Sequence, residues 1–230
     1  MVRKVARIPK WEAELWSYIS NGDGMHCPLY SHCHIRRSGK WCPDDSREDL
    51  NAFLEYGQRS LSDLASIKSG RCVGILKLVE RLALKYLKRG MVHSPPVPSK
   101  LHSLADDLLP IEVRQVPLKV HHGATWRLQD AWVIQIKSDD PPDMKRFTLF
   151  HETFHIIAHH KATPVFKGRR GIKKAPFNEL LANYFAACVL MPTAWVKEKW
   201  YEIQDINQMA EIFDVPQTAM GIRLKGLGLI

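Results

Sequence analysis

Five consecutive residues constrain this chain more than any others: His151-Glu152-Thr153-Phe154-His155. Their surroundings read as helix, because Phe147, Phe150, Phe154, Ile157 and Ala158 recur at helical spacing and give one apolar face. On a helix, residues four apart lie nearly above one another, so both imidazoles can converge on one ion. Glu152 points in an adjacent direction, from which it can reach water held by that ion. A chain with this segment needs a buried helix and a second element to complete the ion's ligand set.

That second element is read at 176–190. Asn178-Glu179-Leu-Leu-Ala-Asn183-Tyr184-Phe185 puts a carboxylate at the start of an otherwise apolar helix, whose core side is Leu180, Leu181, Tyr184, Phe185, Cys188 and Val189. Beside such a surface a carboxylate is costly unless paired or bound to metal. Near a helix N-terminus it also interacts favourably with the dipole, a role compatible with ligation. Two imidazoles and one carboxylate leave a fourth tetrahedral position open, as catalytic zinc requires. Asn183, one turn beyond Glu179, shares its face and is placed to hydrogen-bond a ligand histidine.

The longer zinc pattern with a third helical histidine is excluded. Ala158 stands where it needs glycine and Lys161 where it needs histidine. His159 and His160 read instead as a helix-terminal pair suited to the dipole. The chemistry expected of the set is hydrolysis, with Glu152 as general base and acid. Tyr184, His121 and His122 are open candidates for stabilising the oxyanion.

The rest of the chain reads as α+β and mainly helical. A polar helix is expected at 46–66, opened by Ser46, and an amphipathic one from Ile75 to Gly90. His93-Ser-Pro-Pro-Val-Pro98 cannot be helix and reads as a linker before a short helix at about 99–109. Ile111–Val116 and Trp132–Lys137 are β-branched runs, read as a small antiparallel sheet joined by a Gly- and His-bearing turn. A basic loop at 161–174 carries Lys161, Lys167, Arg169, Arg170, Lys173 and Lys174. From 192 the tail is helical with a break at Val215-Pro216, and 205–224 has the outline of a helix-turn-helix. That outline allows docking of substrate or DNA, or a plain helical cap on the core; only Arg223 and Lys225 are placed to meet phosphates.

Arg146-Phe-Thr-Leu-Phe-His-Glu-Thr-Phe-His155 and Asn178-Glu-Leu-Leu-Ala-Asn-Tyr-Phe-Ala-Ala-Cys-Val-Leu-Met-Pro192 together closely resemble the ImmA/IrrE family of metallopeptidases. The likeness extends over about residues 75–230. It implies a minimal zincin-like, thermolysin-like core with zinc held by His151, His155 and Glu179, and Glu152 as the proton carrier. It also implies a substrate, a helix-turn-helix repressor whose cleavage releases a stress or mobile-element response. Three regions are then expected: a Cys/His-rich module at 1–74, the metallopeptidase domain at 75–200, and a C-terminal helical segment at 201–230.

Residues 1–74 lie outside that likeness. His26, Cys27, His32, Cys33, His34 and Cys42 fall within 17 positions, a density suited to a structural zinc closed by Cys27, Cys33, Cys42 and one histidine. Cys72 is an alternative fourth ligand, and an iron–sulfur cluster is the other reading. No export signal or membrane-length apolar run is seen, so the cytoplasm, with reduced thiols and no membrane partner, is expected. A net charge of +9 favours acidic partners. The rival function is a nucleic-acid-binding regulator with a structural or degenerate metal centre, using the basic loop 161–174 and the Cys/His module, with DNA contact through that loop or the C-terminal helices.

Overall fold

The computed structural model describes residues 8–20, 70–161 and 176–230. Helix α1 spans Lys10–Ser20 and α2 spans Gly70–Arg89. A 3-10 helix at Ser99–Ala105 leads into strands β1 (Ile111–Val116), β2 (Gly123–Arg127) and β3 (Trp132–Lys137). Five helices complete the order: α3 (Pro142–Lys161), α4 (Pro176–Leu190), α5 (Thr193–Ile203), α6 (Ile206–Phe213) and α7 (Gln217–Gly226).

The fold is α+β and mainly helical, with one correction to the sheet. The strand order is β1-β3-β2, and the two β-branched runs pair in parallel, Ile111 opposite Trp132. Between them in sequence, where a turn is expected, lies β2; it pairs antiparallel with β3, Gly123 opposite Ile136. Because β2 returns the chain along the far side of β3, the run after it must travel in the same direction as β1. The sheet is mixed, and β2 has one edge with no strand partner among the described residues.

Helix α3 is buried on two sides, which explains why apolar residues surround it. Phe147, Phe150, Phe154, Ile157 and Ala158 enter the helical core, while Leu149 and Ile156 pack with Trp132, Ile134 and Ile136 of the sheet. Helix α4 fills the centre of the helical core through Leu181, Phe185, Cys188 and Val189. Opposite it, α2 buries Val79, Leu82, Ala83, Tyr86 and Leu87 at helical spacing. Two ties bring the connections in: Tyr86 donates to the Leu101 carbonyl at 2.6 Å, and Arg146 donates to the Val97 carbonyl while pairing with Asp214 at 2.8 Å.

Helix α1 belongs to the same core. Leu15 and Trp16 are buried in it, the Trp16 ring lies 6.4 Å from that of Phe154, and buried Glu12 pairs with Lys85. Helix α1, which precedes the boundary expected at residue 74, therefore packs into the core formed by the later helices. The helix expected at 46–66 and the Cys/His cluster of Cys27, Cys33 and Cys42 lie outside the described residues, as does the Cys72 side chain. Among the described residues, no single helix is long and apolar enough to cross a membrane.

Candidate metal centre

Helices α3 and α4 cross so that three side chains meet. His151 and His155 come from successive turns of α3, and Glu179 from the first turn of α4, which opens with Pro176, a residue whose fixed φ suits the first helical position. The Nε2 atoms of the two histidines are 3.2 Å apart. Glu179 Oε2 lies 3.2 Å from His151 Nε2, and its Oε1 lies 3.6 Å from His155 Nε2. No other group of three His, Cys, Asp or Glu side chains among the described residues gathers its ligand atoms this way, within 4.8 Å of one another.

The chemistry of these donors fits a cation. Asn183 Oδ1 lies 2.7 Å from His151 Nδ1, so Nδ1 carries the donated proton and Nε2 of the neutral ring presents a lone pair inward. Inward-facing lone pairs and a carboxylate form an acceptor set, which a divalent ion satisfies. Ligands about 2.0–2.1 Å from a tetrahedral zinc stand about 3.3 Å from each other, close to the separations found here.

Without an ion the cluster shares protons. Burial alone would lower the His151 pKa, but hydrogen bonding to Glu179 and the charges of Glu152 and Glu179 outweigh it and raise it. Glu179 shows the reverse balance: burial would raise it, yet hydrogen bonds from His151 and His155 hold it well below the usual carboxylate range.

Glu152 is buried, 3% exposed, and faces β2. Thr125 Oγ1 donates to its Oε2 at 2.6 Å. A Cβ on Gly123 would stand 2.8 Å from Glu152 Oε1 and 2.5 Å from Thr148 Cγ2, so only glycine permits this approach of strand to base. Gly123 and Thr125 are site residues that sequence reading missed. The one local signal was a glycine opening a short Thr- and Trp-bearing run.

The other candidates are elsewhere. Tyr184 lies one residue past Asn183 and hence about 100° round α4; its ring packs 5.8 Å from the Arg223 guanidinium. Burial of its hydroxyl pushes the pKa up, and it serves the contact with the C-terminal helices rather than the His–Glu cluster. His122 is exposed and engages Asp140 at 2.6 Å, while His121 is exposed on the same loop. His159 stacks edge-on against Trp132 at 4.9 Å.

The C-terminal helices offer little to phosphates. Arg223 is 7% exposed, donating to the Met191 carbonyl at 3.1 Å and Thr193 Oγ1 at 2.9 Å, with Glu80 at 3.6 Å. Of the two cations expected to meet DNA, only Lys225 remains exposed. The basic loop, from 162 to 174, lies outside the described residues.

Residues 107–225, just over half the chain, match the peptidase family model described as the IrrE N-terminal-like domain. No curated protein matches the chain. A solved Mycobacterium tuberculosis transcriptional regulator is similar over 64% of this chain and 46% of its own, at 13% identity and a TM-score of 0.48. The chain thus spans less than half the length of that protein.

Proposed function

The chain belongs to the IrrE N-terminal-like peptidase family, and from that premise we propose that it is a cytoplasmic zinc-dependent endopeptidase. One observation carries the reading: two imidazoles and a carboxylate converge beside a buried glutamate that an edge strand holds in place. His151, His155 and Glu179 would hold the ion. When bound, it supplies Lewis-acid polarisation of a carbonyl and lowers the pKa of water.

The chain's own residues do the rest. Asn183 fixes the His151 ring through Nδ1. Thr125 fixes the Glu152 carboxylate, which takes a proton from the attacking water and returns it to the leaving amine. Strand β2 is suited to receive the substrate. Hydrogen bonds from Lys137 N to His122 O and from Leu128 N to Ala131 O, both 2.8 Å, set the ladder's alternation. By that alternation Ala124 and Trp126 bond to β3, and the backbones of Gly123, Thr125 and Arg127 turn outward. An extended peptide added there would pass directly beside Glu152.

The substrate we propose is a helix-turn-helix repressor, the target implied by the resemblance, cleaved to release a stress or mobile-element response. Co-expression with a repressor-like neighbour should give one cut product, which a chelator removes. Glu152→Gln should lower the cleavage rate by about 10²–10⁴-fold while the protein keeps its metal. Persistent turnover in that variant would refute the role.

The rival, a nucleic-acid-binding regulator, draws on the +9 charge. It gives no reason for a base held by Thr125 within reach of the ligands. In our reading the Cys/His segment is a second metal site, zinc or iron–sulfur, counted as metal that survives replacement of His151 and His155.

A further inference from the structure

The face of β2 that packs on α3 carries a cation that the hydrolytic reading leaves unused. Gly123 and Thr125 both project from β2 toward α3, meeting Thr148 and Glu152. Alternate residues of a strand share a face, so Arg127 projects the same way. Its guanidinium carbon lies 5.3 Å from the ring centroid of buried Trp132, its partner across the ladder. Trp132 in turn meets His159 of α3 at 4.9 Å. Helix and strand therefore run side by side in one direction. Thr148 and Glu152 lie at Gly123 and Thr125, while His159, about 10 Å further along the helix, lies at the Arg127 end.

The guanidinium is positioned without being neutralised. It donates to the Leu128 carbonyl and, at 3.3 Å, to the Gln129 carbonyl, and it stacks on an indole. By contrast Arg89, Arg114, Arg146 and Arg223 face Asp107, Glu112, Asp214 and Glu80. Among the described residues no carboxylate pairs with Arg127. An arginine oriented by backbone and indole, with N–H groups left to donate, is a receptor for a planar anion.

Resting on the peptidase reading above, we infer that Arg127 is the specificity-determining residue of the β2 edge, taking an aspartate or glutamate side chain of an extended substrate laid along β2. Two strand residues, about 7 Å, separate Arg127 from Thr125. The acidic side chain therefore stands two or three residues from the scissile bond. It precedes that bond if the substrate runs antiparallel to β2. The chain's net charge of +9 favours encounter with an acidic segment.

The test uses a library of unstructured peptides and three forms of the full-length zinc-loaded protein: wild type, Arg127→Ala and Arg127→Glu. Arg127 is exposed on a hairpin, and unchanged melting curves would show that each variant folds. Wild type should prefer Asp or Glu over Asn or Gln at one position by about tenfold. Arg127→Ala should erase that preference, and Arg127→Glu should turn it toward Lys or Arg. A second readout is anisotropy of labelled Asp- and Asn-containing peptides bound to Glu152→Gln protein, with and without Arg127→Ala. Cleavage without any acidic preference, or a preference that survives Arg127→Ala, overturns this inference and leaves hydrolysis standing. Arg127-dependent binding of the Asp peptide without cleavage supports the subsite and overturns the peptidase. Neither cleavage nor selective binding overturns both.

Discussion

Helix α4 passes through two buried polar clusters that meet the cost of burial in opposite ways. In its second half, Tyr184 and Cys188 lie beside Arg223, which brings its own acceptors: the Met191 carbonyl, Thr193 and Glu80. Burial pushes the Cys188 thiol up to about 11, so it stays neutral and acts as a small apolar group. In its first half, Glu179 meets His151 and His155 with the accepting atoms of all three turned toward one point. The Arg223 cluster is complete in itself. The His–Glu cluster leaves converging acceptors that could hold a cation. A buried charge with its counter-ion alongside is architecture, whereas convergent acceptors beside a positioned carboxylate are a site.

The largest effect should come from breaking the closed cluster. Arg223→Ala leaves the buried Met191 carbonyl without its donor and removes a packed side chain, and should cost about 1–3 kcal/mol of stability. Thermal or denaturant unfolding measures it, while cleavage by the protein still folded should keep its rate. A loss under about 1 kcal/mol, or a selective loss of catalysis, would show that this cluster is something other than structural.

A smaller effect separates the clusters by pH. In chelated protein, the raised His151 contributes stability that is complete below its unfolded pKa of roughly 6.5 and is lost as pH rises through the folded value. The lowered Glu179 contributes above roughly pH 4.3 and loses that contribution as pH falls through its folded value. Chelated protein should therefore gain most from this cluster between about pH 4.5 and 6.5. Metal-loaded protein should gain on chelated protein as pH rises, because binding expels the shared proton. Melting temperatures of both forms at pH 5.5 and 8 would reveal this. An equal gap at both pH values would contradict the acceptor set.

Much of this contrast was readable from residue order. Residues four apart on a helix must share a face, so His151 with His155, and Glu179 with Asn183, followed from spacing once the apolar runs marked α3 and α4. What spacing does not give is the partner of a strand. Gly123–Arg127 holds only Thr and Trp as strong β-formers and is half-exposed, so nothing local set it apart from a turn. Without β2, residue order alone implies an antiparallel pairing of β1 with β3 and gives no signal for Gly123, Thr125 or Arg127. Tyr184 misled for a related reason. Its place beside Asn183 in sequence is about 100° away on the helix, toward Arg223, which arrives from 39 residues later. Helix α1 gave no hint that Trp16 would reach Phe154, because that contact is settled by packing across more than a hundred residues.

Metal content measured by native mass spectrometry on wild type, His155→Ala, Glu179→Ala and Glu152→Gln bears most directly on the central claim. Wild type and Glu152→Gln should carry the same number of zinc equivalents, and His155→Ala and Glu179→Ala one fewer. Should Glu179→Ala hold as much zinc as wild type, and as tightly, the three side chains do not form one centre.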